Sequence, residues 1–266
     1  MDNEQLKSLM NQAAEVARAA GAAILEITSE RMKTRDKDDG SPVTEADLAS
    51  NRAMQQGLEA IEPRLPIVSE ESDPEAAAAE RPEVFWLVDP LDGTKEFVAG
   101  IPEYTVNIAL VRGGDPLMGV VYIPAAEVMY TGIRGLGAWK ATGDGDSEAI
   151  SASDADRPVR AVVSRSHLDD KTREFLDSLG ITDRIPHGSS LKMCAVADGS
   201  ADIYPRFGPT CLWDTAAGAA VARAAGCKVT DLDGNDLSYD PAGGIKHAGF
   251  LVYPEQMAAT VEQLIG

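Results

Sequence analysis

The shortages of the 266-residue sequence narrow its function first. Cysteine occurs only at Cys194, Cys211 and Cys227. The number is odd and the spacing is not of metal type, so a disulfide scaffold is excluded and packed, reduced thiols are expected. Basic residues are outnumbered, 24 Lys and Arg against 43 Asp and Glu, for a formal net charge of −19. A field of that sign repels nucleic acid and anionic lipid, so no nucleic-acid partner is expected. It leaves room for a small phosphorylated substrate, because divalent cations reverse the sign locally. No apolar run approaches the ~20 residues of a membrane-spanning helix. The acidic opening Met1-Asp2-Asn3-Glu4 lacks the basic start and apolar centre of a secretory signal. The expectation is a cytoplasmic protein without a transmembrane segment. What remains, 44% hydrophobic and 25% charged, is ordinary globular composition, enough for one large domain or two closely packed ones.

Along the chain, Leu6, Leu9, Met10, Ala13, Ala17, Ala20, Ile24 and Leu25 predict a long amphipathic helix over 4–31. Residues 33–42, dense in charge and turn formers, read as a mobile surface loop, either a lid or solvated filler. Thr44 and Asp47 form a capping-box pattern opening a second helix with Leu48, Met54, Leu58 and Ile61 on its apolar side. A short strand at 66–68 delivers Ser69-Glu70-Glu71-Ser72, and 73–83 reads as a connecting excursion. Strands are predicted at 84–88, 104–111, 117–123, 127–130 and 137–141, with Gly- or Pro-containing spacers that favour antiparallel neighbours. The polar run 142–148 suggests a subdomain boundary, giving an α+β part at 1–146 and an α/β part at 147–266. In the second part strands at 159–164, 202–204, 228–230 and 250–253 alternate with helices at 169–179, 189–197, 215–225 and 254–265. The helix at 215–225 is almost wholly Ala, Gly and Val, so its backbone can approach a neighbour closely. Asp214 precedes it in an N-cap position, as a cap or as a ligand aimed from a helix start.

The densest chemistry lies in Trp86-Leu87-Val88-Asp89-Pro90-Leu91-Asp92-Gly93-Thr94-Lys95-Glu96-Phe97. Proline denies the ladder a donor, so the strand is expected to stop at Asp89-Pro90. Two carboxylates around a turn offer hard oxygens to Mg²⁺, and the amides of Gly93 and Thr94 offer a phosphate cradle. Glu70 matters to such a site only if its strand end lies beside Asp89. Taken singly, Asp47, Glu70 and Asp214 read as cap or surface residues, and Lys192 and Arg206 as surface charge.

Together, Ser69-Glu70-Glu71-Ser72, Trp86 through Phe97 and Trp213-Asp214-Thr215-Ala216-Ala217-Gly218 resemble the three signatures of the inositol monophosphatase superfamily. The central motif reads Asp-Gly-Thr-Lys-Glu-Phe rather than Asp-Gly-Thr-Thr-Asn-Phe. With Ser164-Arg165-Ser166-His167, Gly188-Ser189-Ser190-Leu191-Lys192 and Tyr204 through Thr210, it resembles the CysQ branch of 3'(2'),5'-bisphosphate nucleotidases. The resemblance implies a layered αβαβα sandwich of the inositol monophosphatase and fructose-1,6-bisphosphatase type. It implies hydrolysis of the 3'-phosphate of adenosine 3',5'-bisphosphate to AMP by a metal-activated water, extending to the sulfated nucleotide. Two or three Mg²⁺ ions would be held by Glu70, Asp89, the Leu91 carbonyl, Asp92 and Asp214. Asp47 and Thr94 would form a catalytic dyad, and Gly93 and Thr94 would hold the phosphate. The substrate, a small nucleotide bisphosphate, would meet Ser189, Lys192, Arg206 and His167 in addition to the metal-site residues; His187 and His247 match no motif and read as loop residues. Relatives are monomers or homodimers, and CysQ-type proteins associate with the inner membrane face, a trait for which no basic amphipathic segment is evident here. Inositol monophosphate and sugar bisphosphates are the rival substrates, and a non-catalytic divalent-ion-binding protein is the rival from another class.

Overall fold

The computed structural model describes residues 1–27, 34–36, 42–72, 82–166 and 168–265. The outermost layer is two helices, Asn3–Leu25 and Glu45–Glu59, whose buried positions (Leu6, Leu9, Ala13, Ala17 and Ala20; Ala46, Met54 and Leu58) recur at helical spacing. Asp2 caps the first through a capping box with Gln5, and Thr44 caps the second through one with Asp47. Between them an antiparallel pair forms, β1 (Thr34–Asp36) with β2 (Pro42–Thr44). The predicted loop 33–42, weighed as a lid or as filler, therefore has strand at both ends; its residues 33 and 37–41, and most of the 73–83 excursion, lie outside the described residues.

These helices cover one face of a seven-stranded sheet. Its strands are β3 (Ile67–Ser69), β4 (Val84–Asp92), β5 (Thr105–Arg112), β6 (Asp115–Ile123), β7 (Val128–Ile133), β8 (Gly137–Thr142) and β9 (Glu148–Ile150). They lie in sequence order, β3 parallel to β4 and the other pairs antiparallel. The two-residue period of a strand sends Trp86 and Val88 into the core under the first helices and Phe85 and Leu87 into the core on the far side. The polar run 142–148 is the turn joining β8 to β9, so the strand just beyond the expected boundary belongs to the first sheet.

On the far side lie helices Leu191–Ala197 and Leu212–Ala224, and beyond them a second sheet of β12 (Tyr204–Arg206), β16 (Phe250–Pro254) and β14 (Cys227–Thr230), all antiparallel. The parallel pair β10 (Arg160–Ser164) and β11 (Asp183–His187) extends it, because Val162 N donates to Ile203 O at 2.9 Å and Asp202 N to Arg160 O at 2.8 Å. Helices Asp170–Ser178 and Ala258–Ile265 close the stack, Leu176 and Val261 meeting Val163 and Leu251. The order is helix, sheet, helix, sheet, helix, as expected. A two-stranded ribbon, β13 (Thr210–Cys211) with β15 (Lys246–His247), runs beside the last sheet's connections. His187 and His247 are thus strand residues; burial, with Arg223 nearby, pushes the imidazole of His247 down to about 4.

The Ala- and Gly-rich helix at 212–224 does approach its neighbour closely. A Cβ on Gly119 of β6 would lie 2.3 Å from the Ala217 carbonyl oxygen, with backbone rather than a flexible side chain in the way. Gly119→Ala is expected to cost about 1–3 kcal/mol, the range of overpacked cores, as a lower urea midpoint with an unchanged slope. No loss of stability would mean that helix and sheet are not held at this spacing.

An ion pair also joins the two parts. Glu103, just before β5, accepts from Arg165 Nε at 2.8 Å, Arg165 Nη2 at 2.7 Å and the Gly188 amide at 2.8 Å. The Arg165 guanidinium, with the Gly188 amide, holds the Glu103 carboxyl down at about 2, against an ordinary 4.5. A carboxyl depressed in the folded state contributes stability that is present above its unfolded value and lost as pH falls toward its folded one. The stability gap between wild type and Glu103→Gln is therefore expected to be constant at pH 6–8 and to shrink below about pH 4.5. Denaturation at several pH values measures it, and a gap that widens in acid would contradict the assignment.

Candidate active site

Strand β4 does not stop at Pro90. Asp89 pairs with Asn107 and Asp92 with Thr105, three steps along one strand against two along the other. This is a β-bulge, where a proline's missing donor costs nothing. Its local needs are met: Leu91 N donates to Asp89 Oδ1 at 3.0 Å and Ser50 Oγ to Pro90 O at 2.6 Å. The extra residue has a chemical result. Residues three apart on a regular strand face opposite ways, but the bulge sets Asp89 and Asp92 opposite Asn107 and Thr105, which lie two apart on one face of β5.

Glu70 follows β3, whose Ser69 pairs with Val88, and the Glu70 amide donates to Val88 O at 3.3 Å. The parallel pairing brings Glu70 beside Asp89, the condition its sequence position required. Asp214 differs from expectation in detail. The helix starts at Leu212, so Asp214 is its third residue and Cys211 the cap; Asp214 Oδ2 accepts from Cys211 N at 3.0 Å. Burial of Leu212 and Trp213 starts the helix early. Carboxylate oxygens of Glu70, Asp89 and Asp214 all lie within 4.8 Å of one another. Asp92 stands beside this group, and its Oδ2 is contacted by Ser190 Oγ at 3.1 Å.

The electrostatics of this group call for a cation. Burial, then the charges of Glu70, Asp92 and Asp214, raises the Asp89 carboxyl well above the usual range, and Asp89 also hydrogen-bonds Glu70. Asp214 is raised by burial and by Asp92 and Glu70. Asp92 is pushed up to about 6 by burial, against the opposing effect of Lys192. Carboxylates packed this tightly need either protons or a divalent ion among them. Hard oxygen donors on separate segments suit Mg²⁺.

The cleft at this group, of about 270 Å³, also carries positive charge: Lys192 and Arg206 line it together with Glu70, Asp92, Thr94 and Asp214. Lys192 is not surface charge. It is 7% exposed, burial brings its ammonium down to about 8, and Nζ donates to Ser189 O at 2.5 Å. Arg206 is half-buried, its Nε donating to Thr210 Oγ1 at 3.2 Å. Ser189 lines the cleft with φ +45°, and its buried hydroxyl has no hydrogen-bond partner among the described residues. His167 lies outside the described residues.

Asp47 makes the cap contacts and also reaches Thr94. Its Oδ2 accepts from Thr44 N and Thr44 Oγ1, both at 2.7 Å, while its Oδ1 accepts from Thr94 Oγ1 at 2.9 Å. Thr94 Oγ1 also lies 3.2 Å from Leu91 O, but the shorter bond to a carboxylate holds the single hydroxyl proton. The Thr94 oxygen then keeps lone pairs able to accept a hydrogen bond, and Thr94 lines the cleft. Gly93, at φ +94°, caps the short helix Thr94–Val98 that follows.

Four supporting residues escaped the sequence reading. Ser50 and Asn51 share a helix face with Asp47: Ser50 holds the bulge carbonyl, and Asn51 Oδ1 accepts from Ser69 Oγ at 2.8 Å, one residue before Glu70. One helix thus braces three site-bearing segments. Ser190 Oγ reaches Asp214 O at 2.6 Å and accepts from Asn107 Nδ2 at 3.0 Å. The available signal was polar residues at 47, 50 and 51, where the helical period demands apolar ones.

The family model described as the inositol monophosphatase family matches residues 5–265. The chain is 46% identical over 246 residues to the 3'(2'),5'-bisphosphate nucleotidase CysQ of Salmonella typhimurium (strain LT2), covering 92% of this chain and 99% of that one. The protein of the same description from Escherichia coli (strain K12) matches at the same identity and coverage. Among solved structures, CysQ from Bacteroides thetaiotaomicron superposes with a TM-score of 0.82 at 37% identity, covering 95% of this chain and 99% of that one.

Proposed function

Because the chain belongs to the inositol monophosphatase family, we propose that it is a divalent-metal-dependent phosphomonoesterase that removes the 3'-phosphate of adenosine 3',5'-bisphosphate to leave AMP. The observation that carries this is the polarity of one cleft: a carboxylate wall of Glu70, Asp92 and Asp214 shares it with a cationic wall of Lys192 and Arg206. A substrate with two phosphates, one to react and one to anchor, matches both walls. A monophosphate brings no second anion for the cationic wall to bind. The names of the relatives support the same substrate.

Glu70, Asp89, Asp92, Asp214 and the Leu91 carbonyl would hold two or three Mg²⁺ ions. When bound, the ions neutralise the reacting phosphate, polarise its oxygens and stabilise the leaving alkoxide. The Gly93 and Thr94 amides bind and orient that phosphate. Thr94 Oγ accepts a hydrogen bond from the attacking water on the cleft side, and Asp47 fixes the Thr94 proton so that the lone pair faces that water. Ser189, Lys192 and Arg206 select the nucleotide and its 5'-phosphate. The work divides near residue 146, the earlier part supplying the reacting centre apart from Asp214 and the later part the selectivity. Three free cysteines suit the cytoplasm as the working compartment, and no helix among the described residues is long and apolar enough to cross a membrane.

The test is phosphate release, with Mg²⁺ and with chelator, from adenosine 3',5'-bisphosphate, inositol 1-phosphate and fructose 1,6-bisphosphate. The nucleotide is expected to show the highest kcat/KM and no turnover under chelation. Preference for inositol 1-phosphate would sink the assignment, and inertness toward all three would favour an ion-binding protein.

A further inference from the structure

We propose that Glu103 is a positioning residue for substrate selectivity, clamping the loop 188–190 and Arg165 onto the segment that carries the phosphate cradle. The proposal rests on the cleft being a bisphosphate nucleotidase site. Glu103 itself lies outside the cleft's lining and touches none of the residues proposed to hold metal.

The clamp has two jaws. In one, the carboxylate of Glu103 meets Arg165 with two oxygens, at 2.7 and 2.8 Å, and the oxygen nearer Arg165 Nε also accepts the Gly188 amide at 2.8 Å. Arg165 closes the ring by donating from Nη2 to Pro186 O at 2.9 Å and from its backbone amide to His187 O at 3.1 Å. In the other, Glu96 of the helix Thr94–Val98 accepts from Ser166 Oγ at 2.6 Å. Two carboxylates that follow the cradle in sequence thus hold two loops of the later part. The fit leaves no slack: a Cβ on Gly188 would lie 2.6 Å from the Glu103 carbonyl oxygen.

What the clamp holds matters to substrate choice. Directly after Gly188, the Ser189 carbonyl accepts the buried Lys192 ammonium at 2.5 Å, and Ser189 carries the unpartnered hydroxyl in the cleft. Displacing the loop therefore moves both the hydroxyl and the acceptor that fixes the ammonium. Charge-assisted, bidentate bonds give such a link direction as well as strength. In Glu103→Gln one oxygen becomes an NH₂ group facing existing N–H donors, so the ring cannot close.

The experiment compares kcat/KM for adenosine 3',5'-bisphosphate with that for adenosine 3'-monophosphate, which lacks the anchoring phosphate, in wild type, Glu103→Gln, Arg165→Met and the double variant. The preference for the bisphosphate is expected to fall about tenfold in each single variant, mainly through KM, with the double variant no worse than the larger single effect. Urea midpoints confirm folding, and a merely structural contact would not shift the ratio. Ratios within twofold of wild type in both single variants would overturn the proposal. Exchange protection of the Gly188 amide supplies a reading independent of turnover: it is expected in wild type and lost in Glu103→Gln, and equal protection in both would also overturn the clamp. If the wild type fails to hydrolyse the bisphosphate while Gly188 protection behaves as expected, the functional reading fails and the clamp stands as a loop-fixing device without the role in selectivity.

Discussion

Replacing Asp89 by Asn is expected to cut turnover by roughly a thousandfold or more, while making the metal-free protein harder to unfold at pH 8. Both effects come from one carboxylate. Asp89 is 1% exposed, and it shares less than 4.8 Å of space with oxygens of Glu70 and Asp214. With a divalent ion present, the crowding is what binds it. Without one, ionising the group sets like charges together in a buried place. The carboxyls of Asp89, Asp92 and Asp214 are all raised in the folded state, Asp92 to about 6. The folded protein then binds more protons than the unfolded chain from the ordinary carboxylate range upward. Metal-free stability accordingly falls as pH rises through that window. Asn removes one of the charges and can still donate to Glu70. Thermal unfolding with and without Mg²⁺ checks this: the ion should raise the wild-type midpoint at pH 8 far more than that of Asp89→Asn. A metal-free variant less stable than wild type at that pH would show that the cluster is not electrostatically strained.

The second large effect is expected at the dyad. Thr94→Ala should lower kcat by about 10²–10⁴, the usual worth of a positioned proton acceptor, with metal affinity within about threefold of wild type. Asp47→Asn should act on the same step. An amide cannot accept from Thr44 N, Thr44 Oγ1 and Thr94 Oγ1 with both of its positions, so the Thr94 proton loses its fixed direction. This variant also weakens a helix cap, at about 1 kcal/mol, and a denaturation curve separates that cost from the kinetic one. Thr94→Ser keeps the hydroxyl and should recover most of kcat. The double variant Asp47→Asn, Thr94→Ala should be no slower than Thr94→Ala alone, because the two act as a unit. Wild-type kcat in either single variant would refute the water-activating role.

Much of this architecture was legible in the sequence, for identifiable reasons. Strands β5, β6 and β8 are apolar runs bounded by Gly- or Pro-containing spacers, which locate them within a residue or two, whereas β4 and β7 run four and three residues past their expected ends; the first helix carries a full apolar stripe. What escaped was structure that depends on partners distant in sequence. Strand β11 holds a proline and two charges in five residues and exists because β10 supplies its ladder. The two-residue ribbon β13–β15 has no periodicity to detect. The bulge at Pro90 read as a strand end because only the pairing of Asp89 with Asn107 and Asp92 with Thr105 shows that the strand continues. In the site, the carboxylates could be named from motif resemblance, whereas Ser50, Asn51, Asn107 and Ser190 act through contacts made at long sequence separation. The surface reading of Lys192 failed similarly: its burial is set by the close packing of helix 191–197 in the middle layer.

The central claim, that the carboxylate wall cleaves one phosphate while the cationic wall holds the other, is tested most directly by the identity of the product. Phosphorus NMR of adenosine 3',5'-bisphosphate incubated with the protein and Mg²⁺ should show inorganic phosphate and adenosine 5'-monophosphate accumulating one for one, with the 5'-phosphate intact, and neither product forming once the ion is chelated. Accumulation of adenosine 3'-monophosphate, or release that persists without a divalent ion, would contradict it.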